Sequence, residues 1–346
     1  MRILIVTDAW HPQVNGVVRT LDRVAEEVRA MGHTVGVLTP NEFRTVPMPS
    51  YPEIRLAVTP PGAVARHISA FGPDHLHIAT EGPLGQAARR ACLNRGWSFT
   101  TSYHTRFPEY LRARLPVPES WTYAFLRRFH NAGRGTLVAT ASLRAELAGR
   151  GFNKLRPWTR GVDAELYHPR AESVLDLPRP IFLSVGRVAV EKNIEAFLTL
   201  DLPGTKVIVG EGPARAALQA RFPQAVFLGK HTGEDLARLY ASADVFVFPS
   251  LTDTFGIVVL EALASGVPVA AYPVTGPIDV LAGTEAGALD EDLGAACLRA
   301  LNLPREAARE LALRHSWREC ARMFLDEMVK AAASPHLQGA AAFQEK

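Results

Sequence analysis

The segment Ser250-Leu-Thr-Asp-Thr-Phe-Gly-Ile-Val-Val-Leu-Glu-Ala-Leu-Ala-Ser-Gly-Val-Pro-Val269 follows an apolar run, Asp244-Val-Phe-Val-Phe-Pro249. The apolar run reads as a strand buried on both faces. Thr252 and Asp253 are residues of the type that cap helices, and Gly256 gives a flexible approach. Ile257, Leu260, Glu261 and Ala264 then recur at helical spacing, Gly266 ends the helix, and Pro268 lies just beyond. Strand, polar turn, helix is the unit from which parallel α/β sheets are built, and ligands sit at its turn. The helix N-terminus offers backbone N–H groups and a positive dipole end, both suited to a phosphate.

Two carboxylates belong to this unit, Asp253 in the turn and Glu261 in the second helical turn. A diphosphate sugar lying along the helix could be held at three points. Asp253 and the N–H groups of Phe255, Gly256 and Ile257 would take sugar hydroxyls, the dipole would face the phosphates, and Glu261 would accept from the ribose. An ordinary core helix with Asp253 as a cap and an exposed Glu261 is the commoner explanation of such a segment.

The segment resembles the paired-acid motif of retaining glycosyltransferase family 4, in which the first acid is usually Glu where this chain has Asp253. Other stretches carry the same resemblance. Ile181-Phe-Leu-Ser-Val-Gly-Arg187 reads as a strand ending in a basic turn, and Gly186-Arg187 through Glu191-Lys192-Asn193 is similar to the family's diphosphate-binding signature. An Arg and a Lys at a strand-to-helix turn can neutralise a diphosphate. Gly16, after the first strand Arg2–Thr7, resembles the second glycine of the family's Gly-Gly loop, with Asn15 at the first position. Asn suits the left-handed geometry of such a loop. Tyr103-His104-Thr105 resembles the family's donor-sugar contact, although a histidine past a strand is more often a packed polar residue.

The resemblance implies an α/β protein of the GT-B class, two Rossmann-like doubly wound domains facing across a cleft. Residues 1–168 would bind the acceptor and 169–315 the nucleotide sugar. Residues 316–330 would form a helix crossing back to the first domain, and 331–346 a flexible tail. The activity implied is sugar transfer with retention from a UDP- or GDP-sugar, with no cofactor and no metal. Arg187 and Lys192 would carry most of the catalysis, Asp253 and His104 would hold the sugar, and Glu261 the ribose. Diacylglycerol glycosyltransferases of the sulfoquinovosyl, glucosyl and glucuronosyl type look most similar. GDP-mannose-dependent mannosyltransferases are the second choice. A nucleotide-sugar epimerase is the reading from another class. The Gly210-Glu-Gly212 loop resembles part of a dinucleotide fingerprint, but Arg215 stands where that fingerprint needs Gly or Ala.

The 346 residues allow two domains, and 47% hydrophobic with 21% charged residues describes a globular protein. No stretch reaches membrane-spanning length, and the run Ile3–Val6 is too short for a signal peptide. Cys92, Cys297 and Cys320 are far apart and lack metal-ligand spacing, as expected of buried thiols in a reducing compartment. Asp290-Glu-Asp292 opens a helix and reads as N-terminal charge. The net charge of +3 is uneven: residues 1–170 carry 22 basic and 13 acidic residues, a balance of +9. Within them, Arg106, Arg112, Arg114, Arg127, Arg128 and Arg134 alternate with aromatic and apolar residues such as Tyr110, Leu115, Trp121, Phe125 and Phe129. Such a run suits a membrane interface or single-stranded nucleic acid. Two helices with a buried apolar face and solvated arginines explain it as well. The reading adopted is a cytoplasmic protein, peripheral on the inner membrane, whose partners are a nucleotide sugar and a lipid acceptor at an anionic surface, with no nucleic acid.

Overall fold

A strand made only of apolar residues must be covered on both faces, and Ile3-Leu-Ile-Val6 is such a strand. The computed structural model describes residues 1–13, 15–48, 51–60, 62–112 and 117–332, and in it these four side chains are buried. The described residues divide into two compact units, one of 1–108, 117–159 and 318–332, the other of 109–112 and 160–317.

The strands of the first unit are β1 (Arg2–Val6), β2 (Thr34–Leu38), β3 (Arg44–Met48), β4 (Tyr51–Val58), β5 (His75–Ile78), β6 (Thr100–Tyr103), β7 (Thr136–Val138) and β8 (Leu155–Pro157). Six of them form a parallel sheet in the order β2-β1-β5-β6-β7-β8. The helix Gly16–Ala30 places Val18, Leu21, Val24, Ala25 and Val28 on its buried face. Each large side chain so buried contributes roughly 1.5–3 kcal/mol. The strand order reverses at β1, between β2 and β5, and Asp8 ties the loops there. Its carboxylate accepts from the N–H groups of Leu84 (2.8 Å) and Gly85 (3.1 Å) and from the Thr80 hydroxyl (2.8 Å). A Cβ at Gly85 would lie 1.9 Å from the Thr80 carbonyl oxygen, so only glycine fits.

Residues 40–62, rich in prolines, contain the antiparallel pair β3–β4. Pro47 and Pro52 hid the alternation of the strands, and a two-stranded ribbon tolerates them because it has free edges.

The second unit contains β9 (Ile181–Val185), β10 (Thr205–Val209), β11 (Val226–Gly229), β12 (Val245–Phe248), β13 (Val269–Ala271) and β14 (Gly287–Leu289). They form a parallel sheet in the order β11-β10-β9-β12-β13-β14. Asp292 caps the helix Leu293–Ala300, its side chain accepting from Gly294 and Ala295, so the Asp290-Glu-Asp292 run is helix-terminal charge as expected.

The units meet in sequence at 159/160 and 317/318, where the sequence reading placed the boundaries at 168/169 and 315/316. Residues 160–168 are held by the second unit: Arg309 donates to the carbonyls of Tyr167 (2.7 Å) and Ala164 (2.9 Å). The helix Trp317–Ala332 packs on the first from residue 318 onward, with the Trp158 Nε1 donating to Cys320 O at 3.1 Å and Phe324 stacked edge-on to His77 at 5.0 Å. The residues Arg114 and Leu115 and the stretch 333–346 lie outside the described residues. All three cysteines are buried thiols.

His77 is fully buried between Trp158 and Phe324, and its ring nitrogens lie 2.9 Å from Thr100 Oγ1 and 3.1 Å from Ser102 Oγ. Burial, aided by the nearby His130, lowers its pKa from 6.5 to about 3. The unfolded chain therefore binds a proton here near pH 6 that the native state does not. The contribution of His77 to stability is complete above the unfolded pKa and is lost as pH falls from 6.5 toward about 3. Denaturant unfolding across that range should show a shallower loss of stability in His77→Gln than in the parent. Equal slopes would contradict a neutral buried His77.

Candidate active site

The order of the second sheet reverses at β9, which pairs with β10 on one side and β12 on the other. Loops leaving the carboxyl ends of β9 and β12 diverge there, which opens the crevice where such sheets hold ligands. Both loops carry residues singled out from the sequence. Gly186 and Arg187 follow β9, and a turn of 3₁₀ helix, Val190–Lys192, ends at Asn193 in the left-handed region, φ 51°. Asn tolerates that conformation, and its Nδ2 donates to Pro249 O at 3.1 Å, just past β12. The Ser250 and Thr252 hydroxyls reach Glu191 O at 3.4 and 3.5 Å. These cross-loop bonds bring Lys192 to Asp253, 61 residues away: Nζ lies 2.6 Å from Oδ1 and 2.8 Å from Oδ2.

The ion pair is sheltered, with 25% of the Lys192 and 15% of the Asp253 side chain exposed. Burial works against the Lys192 ammonium, but the Asp253 charge outweighs it, and the lysine pKa lies above its ordinary value. Tyr110 lies beside the pair and hydrogen-bonds with Thr252. Burial, then the Asp253 charge, pushes its phenol up to about 12. From the sequence Tyr110 belonged to the basic and aromatic run. Nothing local marks it as a neighbour of Asp253, because residues 109–112 join the second unit while residues on either side of them join the first.

The loop after β10 packs on the Arg187 turn. Val188 N donates to Glu211 O at 2.9 Å and Ala214 N to Val188 O at 3.0 Å. A Cβ at Gly210 would lie 1.8 Å from Gly186 O, and one at Gly212 would lie 2.3 Å from Val188 O. The Gly-x-Gly pattern thus serves backbone approach between two loops.

The helix Ile257–Ala264 starts at Gly256, φ +85°, with no side-chain cap. Thr252 and Asp253 are therefore not its caps, contrary to their residue type, because both side chains are engaged with the β9 loop. The first backbone N–H groups of the helix receive no side-chain acceptor from the cap. Phe255 is buried, Gly256 and Ile257 are half-buried, and a Cβ at Gly276 would lie 2.9 Å from Phe255 O. Glu261 is 1% exposed, and Tyr240 donates to its Oε2 at 2.9 Å. A buried carboxylate needs such donors, and this one does not face solvent as a simple surface acid would.

Gly16 and His104 lie in the first unit. Gly16 opens its helix behind Asn15, whose Oδ1 accepts from the N–H groups of Val17 and Val18 at 3.0 Å each. Asn15 is extended, φ −151°, so it stands at this position as a helix cap and not for left-handed tolerance. His104 follows β6, half-buried, its ring 5.6 Å from that of Trp158. Sequence reading missed a further polar pair of this unit: His130 Nε2 lies 2.9 Å from Glu81 Oε1, and its Nδ1 lies 2.9 Å from Thr101 Oγ1.

The basic and aromatic run is only partly a surface. In the helix Glu119–His130, Tyr123, Leu126 and Phe129 are core, whereas Trp121 is 72% and Phe125 50% exposed. Arg128, exposed at the next position of that face, continues the stripe. Arg106 instead pairs with Glu146 at 2.6 Å, and Arg127 donates to Arg150 O at 3.0 Å.

Residues 14–166 match the model of Glycosyltransferase Family 4, and residues 179–302 that of Glycosyl transferases group 1. The GDP-mannose-dependent alpha-mannosyltransferase of Mycobacterium tuberculosis is 32% identical over 84% of this chain and 83% of its own. The sulfoquinovosyl transferase SQD2 of Arabidopsis thaliana is 30% identical over 95% and 73%. The alpha-monoglucosyldiacylglycerol synthase of Streptococcus pneumoniae is 25% identical over 87% and 78%. Among solved structures, the sucrose-phosphate synthase of Thermosynechococcus elongatus superposes with a TM-score of 0.79 at 20% identity, covering 96% of this chain and 100% of that one. The epimerase reading falls with these matches. The chain belongs to glycosyltransferase family 4 and is a nucleotide-sugar-dependent glycosyltransferase of the GT-B fold.

Proposed function

We propose that the protein transfers a hexose or hexuronic acid, with retention, from a UDP- or GDP-sugar to a lipid acceptor of the diacylglycerol type at an anionic membrane surface. The observation that carries the acceptor class is the exposed Trp121–Phe125–Arg128 stripe on a unit whose sequence is strongly basic. An aromatic and basic helix face of this kind suits the bilayer interface, where each exposed Lys or Arg contributes about 1 kcal/mol. No helix among the described residues is long and apolar enough to cross a membrane. On this reading attachment is peripheral, on the cytoplasmic face. The likeness to a glucosyldiacylglycerol synthase and to a sulfoquinovosyl transferase supports the same reading. A second reading, GDP-mannose as donor, is favoured by the 32% identity to an alpha-mannosyltransferase.

On this reading the donor lies at the β9–β12 switch point. Arg187 and Lys192 neutralise the diphosphate as the bond from the anomeric carbon to the phosphate oxygen breaks, with the N-terminus of the helix Ile257–Ala264 adding its dipole. These charges need no metal to assist them. The acceptor oxygen bonds to the anomeric carbon on the face the phosphate leaves, and its proton passes to the departing phosphate oxygen. Asp253 and the N–H groups of Phe255, Gly256 and Ile257 take sugar hydroxyls, and His104 positions the sugar. Glu261, oriented by Tyr240, takes the ribose hydroxyls. By the family resemblance, Gly16 would let the backbone approach a phosphate with no Cβ in the way.

Arg187→Ala should lower kcat with the best donor of a UDP- and GDP-sugar panel by orders of magnitude, with the thermal midpoint little changed, because charge stabilisation in the transition state is lost. Near-normal turnover would remove Arg187 from the clamp. Glu261→Gln should weaken UDP or GDP binding in calorimetry. A variant that binds the nucleotide normally but is less stable would make Glu261 a core residue only. Liposome co-sedimentation should require anionic lipid, fall with salt, and weaken in Trp121→Ser and Arg128→Glu. Equal partition onto neutral and anionic vesicles, or onto neither, would move the acceptor to a soluble glycan.

A further inference from the structure

Lys192 and Asp253 are assigned above to different parts of the donor, the lysine to the diphosphate and the aspartate to the sugar. In the structure they hold each other, both carboxylate oxygens lying within 2.8 Å of Nζ. We propose that this pair is a specificity device: it makes the site bind the complete nucleotide sugar in preference to the bare nucleoside diphosphate that the reaction releases. The inference rests on the donor-site reading and goes beyond it.

A bare diphosphate can take Lys192 only by drawing it off Asp253. The aspartate, with 15% of its side chain exposed, is then left without its cation and close to the incoming negative charge. Leaving one member of a sheltered ion pair alone is costly, because water cannot fully replace the lost partner. The complete donor differs in one respect. Its sugar brings hydroxyl donors to Asp253 at the moment its phosphates take Lys192, so both halves of the pair are replaced. The penalty therefore falls on the product and largely spares the substrate. Once the sugar has gone to the acceptor, re-forming the pair helps to expel the diphosphate.

The surroundings limit the access of water to the pair. Asn193, Ser250 and Thr252 fasten the two loops at fixed separation, and Tyr110 covers the Thr252 side. Burial, then the Asp253 charge, raises the Tyr110 pKa, and for Lys192 the Asp253 charge outweighs burial.

Calorimetric titration of the full chain with UDP, GDP, UDP-glucose and GDP-mannose, without acceptor, tests this. Asp253→Asn should tighten binding of the bare diphosphate by about tenfold or more, roughly 1.4 kcal/mol, and should not tighten binding of the matching nucleotide sugar. In a Lys192→Gln background the gain should disappear. An undiminished gain in that background would be ordinary repulsion between Asp253 and phosphate and would overturn the proposal, as would no gain at all. Asp253→Ser serves the same comparison if Asp253→Asn does not fold, as judged by its melting curve. If none of the four ligands binds either the parent protein or Asp253→Asn, the donor-site reading itself fails. If one binds and the variants behave alike, only the specificity device fails.

Discussion

The fastening of the β9 loop to the β12 loop governs the site. At a switch point of a parallel sheet the two loops turn away from each other, so neither supports the other through strand pairing. Here side chains supply the link: Asn193 to Pro249, Ser250 and Thr252 to Glu191, and Lys192 to Asp253. Glycines let the third loop close in, since any side chain at Gly210 or Gly212 would strike a carbonyl oxygen of the Arg187 turn. The result is a pair of linked loops carrying a lysine and a carboxylate at one place, with a helix after the second loop that has no side-chain cap. A diphosphate sugar needs that combination: fixed positive charge for the leaving group and an acceptor for hydroxyls.

The first unit solves the same topological problem differently. Its switch point is closed by a single buried carboxylate, Asp8, which binds the start of the helix after β5. Burial raises the Asp8 pKa, and three hydrogen bonds oppose that rise. Asp8 is thereby committed to structure, whereas Asp253, in the β12 loop at the switch point of the second unit, is engaged with a lysine. Two buried histidines of the first unit likewise have internal partners, His77 in Thr100 and Ser102, His130 in Thr101 and Glu81. The departure from this inward economy is on the surface, where Trp121 and Phe125 meet water. Large aromatic side chains left exposed beside an arginine are usual where a surface meets a partner.

Much of the architecture is written in local pattern. Apolar runs such as Ile3–Val6 and Val245–Phe248, alternating with helices of 3.6-residue period, specify parallel α/β units because those patterns bury one face or two. The loops that carry Arg187, Lys192 and Asp253 were legible from local pattern, since strand ends and helix starts are where polar turn residues gather, and the structure brings Lys192 and Asp253 of those loops together. The basic run from Arg106 to Arg134 could not be sorted in this way. Whether an aromatic on a helix is core or surface depends on what packs against it, and one helix contains both outcomes in Phe129 and Phe125.

What the amino-acid sequence by itself determined is the sequence of elements, the loops that carry charge, and the residue types suited to a diphosphate sugar. Tertiary structure alone decided the partners. Lys192 meets Asp253 across 61 residues, Tyr110 leaves the unit of its chain neighbours to stand beside them, and Glu261 turns to Tyr240 instead of to water. Asp253 has the chemistry of a helix cap, and a nearby lysine claims it instead. The physical reason is that capping, ion pairing and burial compete for the same side chains with comparable energies, and the winner is set by distances that only the folded chain defines.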